Sequence, residues 1–177
     1  MVETVSRRKL MARETHQFNV RSTSFDPGEV VPHHYIFNGM GCQGNNVSPE
    51  LEWSGEPNGT ESFAITVHDP DAQTEHGWWH WSVINIPKNV HKLEEGASNQ
   101  EKLPSEAIEL FTDFGDRHYG GPCPPKGDRP HRYVFTVYAL KRKHIDVSNK
   151  SKADDIKNKL EEWSLAKASF EAQYGRQ

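Results

Sequence analysis

The sequence predicts a mostly β protein: two packed antiparallel sheets in a β-sandwich, with a few short peripheral helices. Three observations carry this reading. Short apolar runs are punctuated by turn formers such as Asp26-Pro27-Gly28 and Asn58-Gly59. Several of those runs alternate with the period of two that a strand requires, and only one segment repeats with a helical period. Five Trp, eight Phe and five Tyr concentrate the apolar area in bulky rings, so a hydrophobic share of 34% still supplies a core. At 177 residues the chain fits one domain over 16–177 behind a loose polar arm over 1–15, with no repeat and no dividing linker.

Strand character begins at Phe18, and residues 39–49 read as a long loop. After the Asn58-Gly59 turn, Phe63, Ile65 and Val67 alternate with Ser62, Ala64 and Thr66, which predicts a strand with one buried face. The run from His80 to Ile86 reads as a strand covered on both faces, with Trp81 and Val83 on one side and Ile84 and Ile86 on the other. The longest run spans 131–140, and a period of two puts His131 and Tyr133 on one face at one end of a central strand. Ser151 is expected to cap a helix with Asp154 in its acidic first turn, and Ile156, Leu160 and Trp163 give its buried stripe. Ala168, Phe170, Ala172 and Tyr174 then alternate as a final strand.

Several function classes are disfavoured. A net charge of -4 does not suit a nucleic-acid coat or an electrostatic membrane binder. No apolar run reaches transmembrane length, and none follows Arg7-Arg8-Lys9 as a secretory signal would, so a cytoplasmic location is expected. Cys42 and Cys123 are too few and too far apart for a disulfide framework or redox motif, and are read as reduced thiols. His76 and His80 are four apart but lie on a predicted loop and strand, and no second pair has zinc spacing, so neither metal nor cofactor is expected. Residues 39–44 match a dinucleotide glycine pattern, yet Asn45 to Pro49 follow where a helix is required.

Two stretches carry chemistry. Asp69-Pro70-Asp71 leaves one predicted strand shortly before Trp78-Trp79-His80-Trp81 opens the next, and Tyr119 to Gly127 forms a Pro- and Gly-rich loop just before His131-Arg132-Tyr133. Each element alone has a plain structural explanation: a turn, a core histidine, a stiff loop. Together, carboxylate, imidazole and phenol beside a loop able to present backbone N–H groups predict a shared pocket for a small anion. The candidate contacts are Asp69, Asp71, His80, His131 and Tyr133, beside the loop that contains Gly121, Pro124 and Pro125. The reading has His80, His131 and Tyr133 touch the ligand, Asp69 and Asp71 orient the histidines and loop, and Gly121 to Pro125 form the rim. Charged imidazole would attract the anion, its proton held by a neighbouring carboxylate.

Catalysis is not expected. Cys123 sits between two prolines without an evident base, and no serine stands in a nucleophile-elbow context. A hydrolase built on the Asp/His/Cys cluster is the weaker alternative.

These blocks resemble the phosphatidylethanolamine-binding protein family, in its prokaryotic Raf-kinase-inhibitor-like branch. The resemblance is carried by residues 46–53, Asp69-Pro70-Asp71-Ala72, Gly77 to Trp81, Asp113-Phe114-Gly115, Tyr119 to Gly127, residues 130–135 and the closing Tyr174-Gly175, and it covers about 18–175. It implies a β-sandwich with a small anion cavity at the ends of central strands, accepting phosphate-type head groups and small carboxylates. Asp69, Asp71, His80, Pro124, Pro125, His131 and Tyr133 match the family's cavity positions. Gln73 replaces a proline of the first motif, and the carboxyl-terminal helix of animal relatives is not recognisable. The resemblance also implies a homodimer, and it makes kinase or serine-protease inhibition the alternative function.

Overall fold

The computed structural model describes residues 17–177, so the expected arm over 1–15 lies outside the described residues. Along the chain run β1 (Asn19–Arg21), β2 (Asn38–Gly39), β3 (Cys42–Gln43), β4 (Leu51–Ser54), β5 (Ser62–Asp69), β6 (Trp78–Pro87), β7 (Lys92–Leu93), β8 (Ile108–Glu109), β9 (His131–Leu140), α1 (Ala153–Trp163) and β10 (Ser164–Tyr174). A five-stranded sheet has the order β10-β9-β5-β6-β8, and a smaller sheet the order β1-β4-β7. Every pairing within them is antiparallel. The mostly β architecture is as expected, with a single α-helix and a short 3₁₀ turn at His33–Tyr35 among the described residues.

The main core lies between the sheets, where Phe63, Ile65, Trp81 and Val83 of the large sheet meet Leu51, Trp53 and Leu93 of the small one. Phe135 and Phe170 stack across β9 and β10 at 5.0 Å. A second apolar layer covers the other face of the large sheet, where Ile156 and Leu160 of α1 pack with Ala64, Ile84 and Leu140. That layer corrects the expectation for β5. Ser62, Ala64 and Thr66 are as buried as the residues they alternate with, because the helix closes the face expected to meet solvent.

A bulge overturns another detail. Ile86 joins the same core layer as Trp81 and Val83, not the layer of Ile84. Phe63 pairs with Ile86 while Ile65 pairs with Val83, so β6 carries an extra residue there. Asn85 adopts a positive φ of 58° at this point, which resets the alternation. Its buried amide is held at both ends, accepting from Ile145 N–H at 2.8 Å and donating to Ile145 C=O at 3.1 Å.

The helix start is also displaced by one residue. Lys152 is the cap, and its N–H donates to the Asp155 carboxylate at 3.0 Å. Ser151 Oγ instead accepts from Ser148 N–H at 3.1 Å, in the turn before the helix. Residues 39–49 are not all loop: β2 and β3 form a tight hairpin with Met40-Gly41 at its tip.

Candidate functional site

The exit of β5, the entry of β6 and the start of β9 come together at one end of the large sheet. A cavity of about 280 Å³ opens there. Asp69, His80, His131 and Tyr133 form its polar part, with Trp78, Phe114, Met40, Ala72, Gln73, Thr74, Cys123, Pro124 and Pro125 around them. His131 and Tyr133 share a face of β9, as period two requires, and both are buried.

A bulge aims His80. Val67 pairs with Trp81 and His68 with Trp79, which leaves His80 as the extra residue of β6 with no partner on β5. Its backbone carbonyl accepts from Gly120 N–H at 3.0 Å, and its Nδ1 lies 2.7 Å from the Gly120 carbonyl. A carbonyl only accepts, so Nδ1 carries the hydrogen and donates. Burial pulls the imidazole pKa down to about 4, outweighing the Gly120 carbonyl and Asp69, which favour the charged form. His80 is therefore neutral near neutrality, so it is not the charged imidazole expected of the site. Tyr133 packs edge-on against it at 5.1 Å and Phe114 at 5.3 Å.

His131 is the charged ring. Its Nδ1 lies 2.6 Å from Asp69 Oδ2 and its Nε2 2.9 Å from Asp128 Oδ2. Burial pulls its pKa down, but the two carboxylates more than offset this and leave it raised. With both N–H groups donated, the ring has no hydrogen-bonding atom to spare for a ligand; it builds the wall. Asp69 Oδ1 also accepts from Asp71 N–H at 2.8 Å and Ala72 N–H at 3.2 Å, which fixes the loop after β5. The Asp69–His131 pairing follows the expected logic of a carboxylate orienting a histidine. Asp128 was not anticipated; its only sequence signal is its place in the turn three residues before His131.

Asp71 does not line this cavity. It holds Arg132 through Nε at 3.1 Å, Nη2 at 3.0 Å and the backbone N–H at 2.8 Å, and the Arg132 hydrogen bonds lower its pKa. Gly121 does not line it either. Its N–H donates to Asn46 Oδ1 at 2.7 Å, and a Cβ there would lie 2.0 Å from the Tyr35 carbonyl oxygen. The anion nest expected of the loop is reduced: Pro122, Pro124 and Pro125 have no N–H, and those of Tyr119, Gly120, Gly121 and Gly127 are already donated. Among the described residues no lysine or arginine lines the cavity.

The reduced-thiol expectation is also overturned. Cys42 and Cys123 form a disulfide with Cα atoms 6.0 Å apart, 81 residues apart in sequence. Sequence distance is no guide here, because the β2–β3 hairpin folds over the loop ahead of β9. The bond fastens the hairpin to the cavity rim, and Met40 at the hairpin tip is 66% exposed there with φ of 52°.

Two donors in the cavity wall lack partners among the described residues. Tyr133 Oη and Trp78 Nε1 are both buried and have no hydrogen-bond partner. Burial, then the field of Asp69, pushes the Tyr133 phenol pKa well up, so it stays protonated and able to donate.

The model of the phosphatidylethanolamine-binding protein family matches residues 21–175. The chain is 46% identical over 153 residues to the UPF0098 protein YbcL of Escherichia coli, covering 85% of this chain and 84% of that one. It is 42% identical over 154 residues to the UPF0098 protein YbhB of the same organism, covering 86% and 97%. The crystal structure of E. coli YbcL superposes with a TM-score of 0.87 at 44% identity, covering 90% of this chain and 99% of that chain. With the family model spanning nearly the whole chain and the same fold in a near relative, the protein belongs to the phosphatidylethanolamine-binding protein family.

Proposed function

We propose that the protein binds a small acidic head group, a phosphate ester or carboxylate, in the cavity between β5, β6 and β9. The observation that carries this is a pair of unpartnered donors in the lining of an otherwise largely apolar cavity. Its lining sets His80 and the unpartnered Tyr133 and Trp78 donors among the apolar surfaces of Met40, Ala72, Phe114, Pro124 and Pro125. An apolar pocket with a few placed polar groups is the usual form of a small-molecule site. A buried donor without a partner is unfavourable by about 1–3 kcal/mol, which a ligand oxygen would recover.

The site residues assigned to contact are Tyr133, Trp78 and His80, with Pro124 and Pro125 at the rim. Asp69, Asp71, His131 and Gly121 take positioning roles. Cys123 is held in the disulfide, which removes the thiol that a hydrolase built on the Asp/His/Cys cluster needs. The inhibitor reading gains little, since Trp79 and Trp81 near the cavity are buried and Trp78 is half-buried in its lining. The Cys42–Cys123 bond fits an oxidising compartment better than the cytoplasm. A homodimer rests on the family resemblance, and sedimentation velocity tests it.

The test is isothermal titration of phosphate, acetate and phosphoethanolamine into wild type and Ala72→Phe, which places a ring in the cavity. Wild type is expected to bind at least one of them and the filled variant none. Absence of heat with wild type, or equal binding by both, contradicts the proposal.

A further inference from the structure

His80 settles more than the location of a ligand. Its Nδ1–H is committed to the Gly120 carbonyl at 2.7 Å, so Nε2 carries a bare lone pair. Nε2 has no hydrogen-bond partner among the described residues, and the ring is part of the cavity wall. The atom His80 offers a ligand is therefore an acceptor. Placing a fully deprotonated oxygen against it sets lone pair against lone pair.

The charges around the ring point the same way. From β5 come Asp69 and the more distant His68, from β9 His131 and the neutral Tyr133 phenol, and from the turn before β9 Asp128. Among the described residues the charged side chains lining the cavity are Asp69 and His131, a carboxylate and an imidazolium that offset each other, with no lysine or arginine beside them. A dianion has nothing here to neutralise it, whereas a group that keeps one proton lowers its charge and supplies the missing donor.

We propose that the pocket selects oxyacids in their protonated form, a monoprotonated phosphate monoester or an undissociated carboxylic acid. Its O–H donates to His80 Nε2, and another of its oxygens accepts from Tyr133 Oη. This rests on the head-group reading above and adds a protonation requirement to it. His80 acts as the specificity determinant, and the bulge that aims it and the Gly120 carbonyl that fixes its tautomer are what make it one.

Methyl phosphate and methyl sulfate isolate the requirement. Near pH 5.5 both are monoanions of similar size, because the second phosphate pKa lies at about 6, but only methyl phosphate carries a proton. Binding to the wild-type protein is followed by NMR titration at the Trp78 indole N–H. Methyl phosphate is expected to bind at least about tenfold tighter than methyl sulfate, the effect of leaving a buried acceptor unpaired. It should also weaken as the pH rises through the ligand's own second pKa. Equal or tighter binding of methyl sulfate overturns the protonation requirement and leaves the head-group reading intact. Binding of neither overturns both.

Discussion

Asp69 Oδ2 and His131 Nδ1 meet at 2.6 Å where β5 ends and β9 begins, and Asp128 closes on the other ring nitrogen at 2.9 Å. One imidazolium thus fastens a strand exit to the turn before its neighbour. Both Asp69 and His131 are almost wholly buried, with side chains 4% and 5% exposed. The pair shapes the cavity wall without spending a free hydrogen-bonding atom on a ligand.

Asp69→Asn keeps the Oδ1 acceptor for the loop N–H groups and replaces the charged bond to His131. Hydrogen bonds to charged groups contribute about 1.5–3 kcal/mol, so a loss of roughly 2 kcal/mol is expected in urea unfolding. NMR titration should show the His131 pKa above its ordinary value in wild type and lower in the variant. A wild-type His131 at or below the ordinary value contradicts the clamp.

The two histidines give opposite pH dependences. His131 has a raised folded pKa, so its contribution to stability is complete below the ordinary histidine pKa of about 6.5 and is lost as pH rises through the folded value. His80 has a lowered folded pKa near 4, so its contribution is present above about 6.5 and is lost as pH falls toward that value. The acid limb amounts to about 3 kcal/mol over that interval. Urea midpoints against pH test it, and His80→Gln should flatten the acid limb.

The Cys42–Cys123 bond closes a long loop across the rim. Removing it in the Cys42→Ser, Cys123→Ser double variant is expected to lower stability by roughly 2–4 kcal/mol. Alkylation of the unreduced, denatured protein should label no thiol. Two labelled cysteines in protein kept from reductant contradict the pairing.

Gly121→Ala places a methyl group 2.0 Å from the Tyr35 carbonyl oxygen, against backbone that cannot rotate away. Overpacking of this kind costs about 1–3 kcal/mol. The rim should move with it, so ligand affinity falls although residue 121 touches no ligand. Thermal melts and titration of the same variant check both.

Much of this was legible in the sequence, because period two survives wherever a strand is regular. That His131 and Tyr133 share a face of β9 follows from alternation, whereas the Asp69 loop beside them rests on the resemblance of these blocks to the family. The failures fall where the backbone breaks its own period. Ile86 changes sides at the Asn85 bulge, and His80 is turned by a second bulge that no local residue announces. The charge state of His80 depends on burial and on Gly120, forty residues away, and the partner of Cys42 lies 81 residues away. Such contacts are set by topology, and spacing along the chain does not encode them.

The most direct test of the binding account is the effect of Tyr133→Phe, which removes a single buried oxygen that has no partner among the described residues. Stability and phosphoethanolamine affinity should part company. The variant is expected to be as stable as wild type or more so, since an unsatisfied donor is gone, while affinity drops about tenfold or more. A variant that binds phosphoethanolamine as well as wild type would show that the head group does not sit in this cavity.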